Sequence, residues 1–393
     1  MLPRSKIVRF LFAWESISFE EVHPMAGSTY GKLFQITTWG ESHGKAVGVV
    51  VDGCPAGLSL NEDDIQKFLD RRKPGQTPFS TPRKEDDIVE ILSGVFEGKT
   101  TGCPISMIVY NKSQRSADYS EIANYYRPGH ADFTFDAKYG FRDYRGGGRS
   151  SARETIGRVA AGAIATKILA QLGITITTYT RSIGPVEIDP QHFDAAQIPL
   201  NPLNMPDEKA AALAAEYLTE CKKNGDSSGG VIECVVEHMI PGLGDPVFDK
   251  LSANLAKALC SVGAVKSFEI GDGIAAAKLR GSENNDRFAV TEDHKIYKAT
   301  NHSGGLLGGI SDGSNLLLRV GIKPTPSVSL SQQTVTRDGQ PLEVNIKGRH
   351  DPVIVPRAVV VIESMTAITL VDALFANMYA RMDGVERFYT STN

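Results

Sequence analysis

Apolar residues recur at helical spacing in five stretches of the chain. Between residues 61 and 73, Ile65, Phe68 and Leu69 form a stripe on a segment that opens with Glu62, Asp63 and Asp64 and closes with Arg71, Arg72 and Lys73 before Pro74. Acids first and bases last complement the helix dipole, so this spacing predicts a helix. Residues 207 to 223 predict a second, Ala-rich one, with Leu213, Tyr217 and Cys221 inward and Gly225 just beyond. Residues 246 to 262 predict a third, entered through Asp245-Pro246, with Leu251, Leu255, Leu259 and Val262 on one face and Gly263 as the stop. Over 152 to 172, Ala, Gly and Ile occur all round, as in a helix buried on most sides. A C-terminal helix over 366 to 382 turns Leu370, Leu374 and Met378 inward.

β-branched runs at Val47 to Val51, Ile105 to Tyr110, Ile174 to Thr178, Val231 to Glu237, Leu316 to Ile322 and Ala358 to Ile362 predict strands. Strands and helices do not alternate regularly, which favours an α+β fold over a doubly wound parallel sheet. The stretch from Pro185 to Pro206, rich in Pro, Asp and Asn, reads as a connection between two halves. Residues 1 to 25 resemble nothing that follows and lack a signal-peptide core; they read as an extension ahead of one catalytic domain over 26 to 393.

Charge then narrows the function classes. The 393 residues carry 42 Lys plus Arg against 46 Asp plus Glu, a net −4, which argues against a general nucleic-acid binder. No run of about 18 uncharged apolar residues stands out, so no membrane span is expected. Five cysteines lie far apart with no C-x-x-C, which speaks for reduced, buried thiols in a cytoplasmic protein. No His-x-x-x-His pair or His/Cys cluster supports a metal. The excess is in glycine, 38 residues against a usual share of about 7%, and its positions matter.

Three glycines stand in YRGGGRSSARET, Tyr144 to Thr155, among Arg145, Arg149 and Arg153, with Ser150 and Ser151 where the buried helix starts. Backbone N–H groups at a helix start, hydroxyls and guanidinium forks suit a phosphate. A flexible loop with a Ser cap is the bland alternative. In GESHGKAVG, Gly40 to Gly48, His43 lies at a strand edge and can titrate near neutrality; the segment fails as a Walker loop, and a lone loop His is more often structural. In YYRPGHADFTF, Tyr125 to Phe135, His130 follows a Pro-Gly turn beside Arg127, Asp132 and aromatics, which fits a planar anionic ligand or, equally, a core aromatic cluster. NHSGGLLGGISDG (Asn301 to Gly313), KPTPS (Lys323 to Ser327) and GRHDPVIVPR (Gly348 to Arg357) add more Gly, cations and hydroxyls. Together these loops imply one large polyanion pocket.

GESHG, LDRRKPGQ, RPGHAD, DYRGGGRSSARET, EIGDG, KPTPS and GRHDP, in this order from about Ser28 to Ala380, resemble the chorismate synthase family. The resemblance implies conversion of 5-enolpyruvylshikimate 3-phosphate to chorismate and phosphate in the shikimate pathway, dependent on reduced FMN although redox-neutral overall. It implies a helical layer between two antiparallel sheets and a homotetramer. By motif match, His43 is the acid toward the leaving phosphate, His130 stabilises the reduced flavin, and Asp351 helps relay the proton. Arg149, Ser150, Ser151, Gly263, Ala264, Gly308, Lys323, Pro324, Thr325, Pro326, Ser327 and Arg349 match flavin-binding positions. Arg72, with Arg127 and Arg153, matches contacts to the phosphate of substrate or NADP, and NADPH is a candidate reductant. Two departures stand out. Pro78 replaces a basic residue of many relatives, leaving Arg83 or Lys84 to take its place, and Gly263 stands where Asn is frequent. The alternative in another class is a flavin- or phosphometabolite-binding protein without activity; a nucleic-acid binder built on the RGGGR loop comes third.

Overall fold

The computed structural model describes residues 27–75, 77–80, 85–112, 121–345 and 351–390. One sheet holds β1 (Thr29–Tyr30), β2 (Gln35–Gly40), β3 (Ala46–Asp52), β4 (Val89–Ile91) and β5 (Ile105–Tyr110), in the antiparallel order β1-β2-β3-β5-β4. The other holds β6 (Thr175–Ile183), β7 (Val186–Glu187), β8 (Gly230–Glu237), β9 (Val265–Ile270) and β10 (Leu316–Ile322), antiparallel in the order β9-β10-β8-β6-β7. Each sheet is apolar on its inner face by simple alternation: Ile105, Met107 and Val109 in β5, and Leu316, Leu318, Val320 and Ile322 in β10, are all buried.

Between the sheets lie α1 (Glu62–Arg72), α3 (Thr155–Gln171), α5 (Leu251–Cys260) and α6 (Val355–Asn377). Peripheral to them are α2 (Asp132–Tyr139), α4 (Glu208–Lys223) and α7 (Met382–Thr390). Helix α3 packs on β2 and β3, α6 packs on β6 and β8, and the two helices pack on each other. This is the expected α+β sandwich, a helical layer enclosed by two antiparallel sheets. Asn61 starts α1 with a reciprocal capping box: its Oδ1 accepts from Asp64 N at 3.1 Å and its own N donates to Asp64 Oδ2 at 3.2 Å.

Several expectations need correction. Ala358 to Ile362 is no strand but the first part of α6, which starts at Val355, eleven residues before the predicted helix. Its β-branched run is buried on every side, where apolar periodicity cannot separate strand from helix. Helix α5 starts at Leu251, after Asp245-Pro246 has formed a separate turn. In α4 the inward face is Ala210, Ala211, Ala214 and Leu218, while Leu213 is exposed; small residues let that helix lie close. Met378 is likewise exposed. The stretch from Pro185 to Pro206 pairs through β7 onto β6 and buries Leu203 and Met205, so it belongs to the body of the fold. Cys103 and Cys260 are exposed; only Cys54 and Cys234 are fully buried. Helix α6 is long and apolar enough to cross a membrane, yet Val355 and nearly every residue from Val359 to Val371 are buried inside the protein, and the core accounts for its composition.

The all-round small residues of α3 have a specific cause. A Cβ on Gly162 would lie 2.2 Å from Ser364 Cβ and 2.6 Å from Ser364 Cα on α6. The two backbones therefore approach as closely as they do only because position 162 has no side chain. Gly162→Ala gains about 1 kcal/mol in helix propensity but must overpack this crossing at a cost of about 1–3 kcal/mol. The net expectation is a lower urea midpoint for the variant, and a midpoint at or above that of the parent would contradict the close crossing.

Candidate active site

The loop joining β2 to β3 carries His43, which is buried. Ser42 Oγ lies 3.2 Å from His43 Nδ1 and donates to Gly146 O at 3.4 Å. Gly146 adopts φ +67°, and a Cβ there would stand 2.3 Å from His43 Nδ1. The glycine run thus brings main chain against the imidazole. Beyond it the chain makes two 3-10 turns before α3: Ser150 N donates to Gly147 O at 2.9 Å and Glu154 N to Ser151 O at 3.0 Å. These N–H groups, expected to be open to an anion, are engaged within the loop. Ser150 Oγ donates to Gly147 O, and Ser151 Oγ accepts from Arg153 N. Arg149 turns back to brace the β2 hairpin, donating to Gly40 O, Thr38 O, Thr38 Oγ1 and Ser28 Oγ. Arg145 pairs with Asp143 at the surface.

Cations converge at the end of α1. Arg72 is buried, donating from Nη2 to Asp87 Oδ2 at 2.7 Å and from Nη1 to Ala152 O at 3.3 Å. Arg153 Nη1 meets Asp87 Oδ1 at 3.0 Å and Glu85 Oε2 at 2.6 Å. Arg357 Nη1 pairs with Asp351 Oδ2 at 2.5 Å, and its Nε donates to the main-chain oxygen of Arg72 at 3.2 Å. Burial pulls the Arg72 guanidinium down to about 10; Asp87 opposes this, and Arg357 and Arg153 add to it. Burial would raise the Asp87 carboxyl, but Arg72 and Arg153 outweigh it and hold it below the usual carboxylate range. Arg72 Nε and Arg153 Nη2 are buried and have no hydrogen-bond partner among the described residues. Arg71 leaves this cluster and forks onto both oxygens of Glu363 in α6, a structural tie between helices.

His130 belongs to an adjoining cluster. Arg127 forks onto Asp132 from Nε and Nη2, both at 2.8 Å, so it is already paired, while its Nη2 comes within 4.0 Å of where a Cβ on Gly147 would stand. His130 Nδ1 lies 3.0 Å from Pro128 O and Nε2 lies 3.0 Å from Ser327 Oγ. A carbonyl can only accept, so Nδ1 carries the proton and Nε2 accepts from Ser327. Burial first, and then Arg127 and Lys323, push the His130 ring down to about 4, against the opposing pull of Pro128 O and Asp132. Lys323 Nζ donates to Gly129 O at 2.8 Å, and its N donates to Ala264 O at 2.9 Å. Ala264 holds φ +71°, and that bond to its carbonyl brings the Gly263-Ala264 turn beside KPTPS. Thr325 Oγ1 is buried without a hydrogen-bond partner among the described residues.

Most candidates are therefore brought together: His43, Arg72, Arg153, Asp351 and the RGGGR loop in one cluster, with His130, Arg127, Gly263, Ala264 and Lys323 to Ser327 beside it. Gly308 is not among them. It turns the hairpin Leu306–Leu307/Ile310–Ser311, whose Gly309 abuts Lys250, near the far end of α6, where Asp372 meets Lys32 and Lys32 meets Asp249. At 1.5 Å per residue, that end is about 25 Å from Val355. Arg349, Arg83 and Lys84 lie outside the described residues. Two members of the site went unread in the sequence. Asp87 hides in the acidic run Glu85-Asp86-Asp87, which looks like solvated surface, and Asn111 simply follows a strand.

Comparisons with known proteins follow the same line. The chorismate synthase family model matches residues 34–375. The chain is 67% identical to a chorismate synthase of Agathobacter rectalis over 365 residues, covering 93% of this chain and 99% of that protein. It is 64% identical to one of Lachnoclostridium phytofermentans over 365 residues, with 93% and 100% covered. It is 54% identical to one of Methanosarcina mazei over 353 residues, with 88% and 96% covered. A solved structure described as a chorismate synthase superposes with a TM-score of 0.72 at 32% identity, covering 91% of this chain and 97% of that one.

The depressed His130 sets a pH dependence. Its folded value near 4 lies below the unfolded value of about 6.5, so as pH falls the unfolded chain takes up the proton first. This group's contribution is therefore fully present above about pH 6.5 and is lost as pH falls toward 4. A histidine-selective NMR titration should show His130 titrating near 4, and His130→Gln should flatten the rise of the denaturation midpoint between those pH values. A His130 that titrates at its ordinary value would contradict the described burial.

Proposed function

The chain belongs to the chorismate synthase family, and from that premise we propose how its residues carry out the family's reaction. It is a lyase of the shikimate pathway: phosphate and a proton leave 5-enolpyruvylshikimate 3-phosphate, and chorismate and phosphate result. The observation that carries the assignment of roles is the pair of buried guanidinium nitrogens, Arg72 Nε and Arg153 Nη2, beside the His43 loop. Burying a donor without a partner costs about 1–3 kcal/mol, more for a charged group, and a phosphate would satisfy both. These arginines receive the departing phosphate, and His43, with Ser42 at its Nδ1, protonates it from Nε2. Asp351, held at Oδ2 by Arg357, assists removal of the ring proton. Arg127 serves by fixing Asp132 and the His130 turn more than by direct phosphate contact.

Reduced FMN fits the second cluster. Thr325 Oγ1 is a buried hydroxyl in want of a partner, Lys323 is a nearby cation, and Gly263-Ala264 offers main chain with no side chain within 4 Å of where a Gly263 Cβ would stand. Lys323 to Ser327, Gly263, Ala264, Ser150 and Ser151 would hold it, with Arg349 joining from beyond the described residues. When bound, the cofactor supplies a transient electron that weakens the C–O bond to phosphate. His130 is neutral in the absence of ligand and supplies a polar, uncharged surface; an anion placed beside it would draw its proton affinity upward. Arg149 supports this cradle indirectly, through the β2 hairpin.

Gly308 can reach such a cradle only from another copy of the chain, which agrees with a homotetramer. The exposed Phe288, Val290, Ile296 and Tyr297 of one hairpin, with Phe248, suit subunit contacts. Arg72, already on Asp87 and buried, suits substrate phosphate better than an NADPH approaching from outside. A cytoplasmic setting suits the five thiols, none of them in a disulfide.

The deciding assay is anaerobic, with 5-enolpyruvylshikimate 3-phosphate and dithionite-reduced FMN. Equimolar chorismate and phosphate are expected, with none when reduced flavin is omitted, and NADPH with oxidised FMN tests self-reduction. His43→Ala should abolish turnover while FMN binding persists; normal turnover would remove His43 from the mechanism. Binding of both ligands without product from the parent chain would leave a pocket without catalysis.

A further inference from the structure

Asn111 stands immediately after β5 and is absent from every motif discussed above. Its main-chain N donates to Lys45 O at 3.0 Å. Its side-chain Nδ2 donates to Glu41 O at 3.1 Å and to Gly44 O at 2.9 Å, the two carbonyls that bracket Ser42 and His43. The loop's own bond, Gly44 N to Glu41 O at 3.0 Å, closes the same turn. On its other side, Asn111 Oδ1 accepts from Arg153 Nε. The orientation of the amide follows from this set of partners: two carbonyls require donors, and a guanidinium N–H requires an acceptor. No other side chain of that size offers both.

The connection continues inward. Arg153 shares the Asp87 carboxylate with Arg72, and that carboxylate is fully buried. Asp87 holds φ +45°, a left-handed conformation that a non-glycine residue adopts at a cost. The backbone strain is accepted where the side chain is fixed between two guanidiniums. A continuous path of hydrogen bonds therefore runs from the His43 loop through Asn111, Arg153 and Asp87 to Arg72.

We propose that Asn111 is a positioning residue for the reaction: its amide ties the loop carrying His43 to Arg153, so that the acid and the phosphate-binding guanidiniums keep one fixed geometry. This rests on the roles given above to His43 and Arg153. Asn111→Asp separates the two halves of the function. The substituted side chain is the same size and still accepts from Arg153, but it turns a carboxylate oxygen toward the carbonyls of Glu41 and Gly44. The loop must then move while the cation cluster stays.

The experiment compares Asn111→Asp with the parent in two readouts. In the anaerobic assay with 5-enolpyruvylshikimate 3-phosphate and reduced FMN, kcat should fall about 10- to 100-fold while KM for the substrate changes by no more than about threefold. In histidine-selective NMR of the protein without substrate, the ring signals of His43 should move and those of His130 should stay. A merely structural role would lower the denaturation midpoint and leave the His43 signals and kcat in place. If Asn111→Asp does not fold, Asn111→Ala, which introduces no charge, carries the same two readouts. Unmoved His43 signals in a folded variant overturn the positioning role, whether or not the parent turns over. A parent that forms no chorismate overturns the functional reading instead, and the NMR comparison still decides this one.

Discussion

Everything in this molecule is hung on the contact between α3 and α6. These helices form the centre of the layer that both sheets cover, and Gly162 against Ser364 fixes how near they come. Both start beside the same residue. Arg72 reaches Ala152 O, just ahead of α3, and its own carbonyl accepts from Arg357 in the first turn of α6. Two helix N-termini, with their partial positive charge, thus open toward the end of the sandwich where the arginines collect. The packing of two hydrophobic helices thus sets their start, and the cations gathered there, at one end of the sandwich.

The charges there are balanced before any ligand arrives. Arg72, Arg153 and Arg357 are set against Asp87, Glu85 and Asp351. Left unopposed, the buried guanidinium of Arg72 and its two partly buried neighbours would carry a desolvation penalty of up to several kcal/mol per ion. The carboxylates offset that penalty and, being acceptors with fixed positions, also decide which guanidinium nitrogens stay free. The donors left over at this cluster are therefore set by geometry more than by net charge. That agrees with a chain whose overall balance is slightly acidic.

The loops that make the site were largely legible, because their chemistry is spelled in residue types with few other uses. The RGGGR, RPGH and KPTPS segments do converge, and the strands at Ile105 to Tyr110 and Leu316 to Ile322 are found at those residues. What could not be read has physical reasons. Ala358 to Ile362 looks like a strand because a β-branched run carries the same signal in a buried helix. Leu213 has the size of a core residue, but α4 packs through its alanines and Leu218, which let it lie close. Arg127 and Arg149 looked like ligand arms, but spacing cannot say that Asp132 and the carbonyls of the β2 hairpin take their donors first. Asp87 and Asn111 are ordinary polar residues whose significance exists only once distant segments meet.

Helix α6 follows every strand of both sheets in the chain, yet it is the surface on which the second sheet closes. During synthesis, β6, β8, β9 and β10 are therefore made before their covering helix exists. Until residues 355 to 371 leave the ribosome, Ile232, Cys234 and Val236 of β8 lack the helix that covers them, although α3 and α5 are already made. β6 and β8 are thus made as an apolar pair well before the helix that covers them, and this part of the core closes only once α6 has emerged.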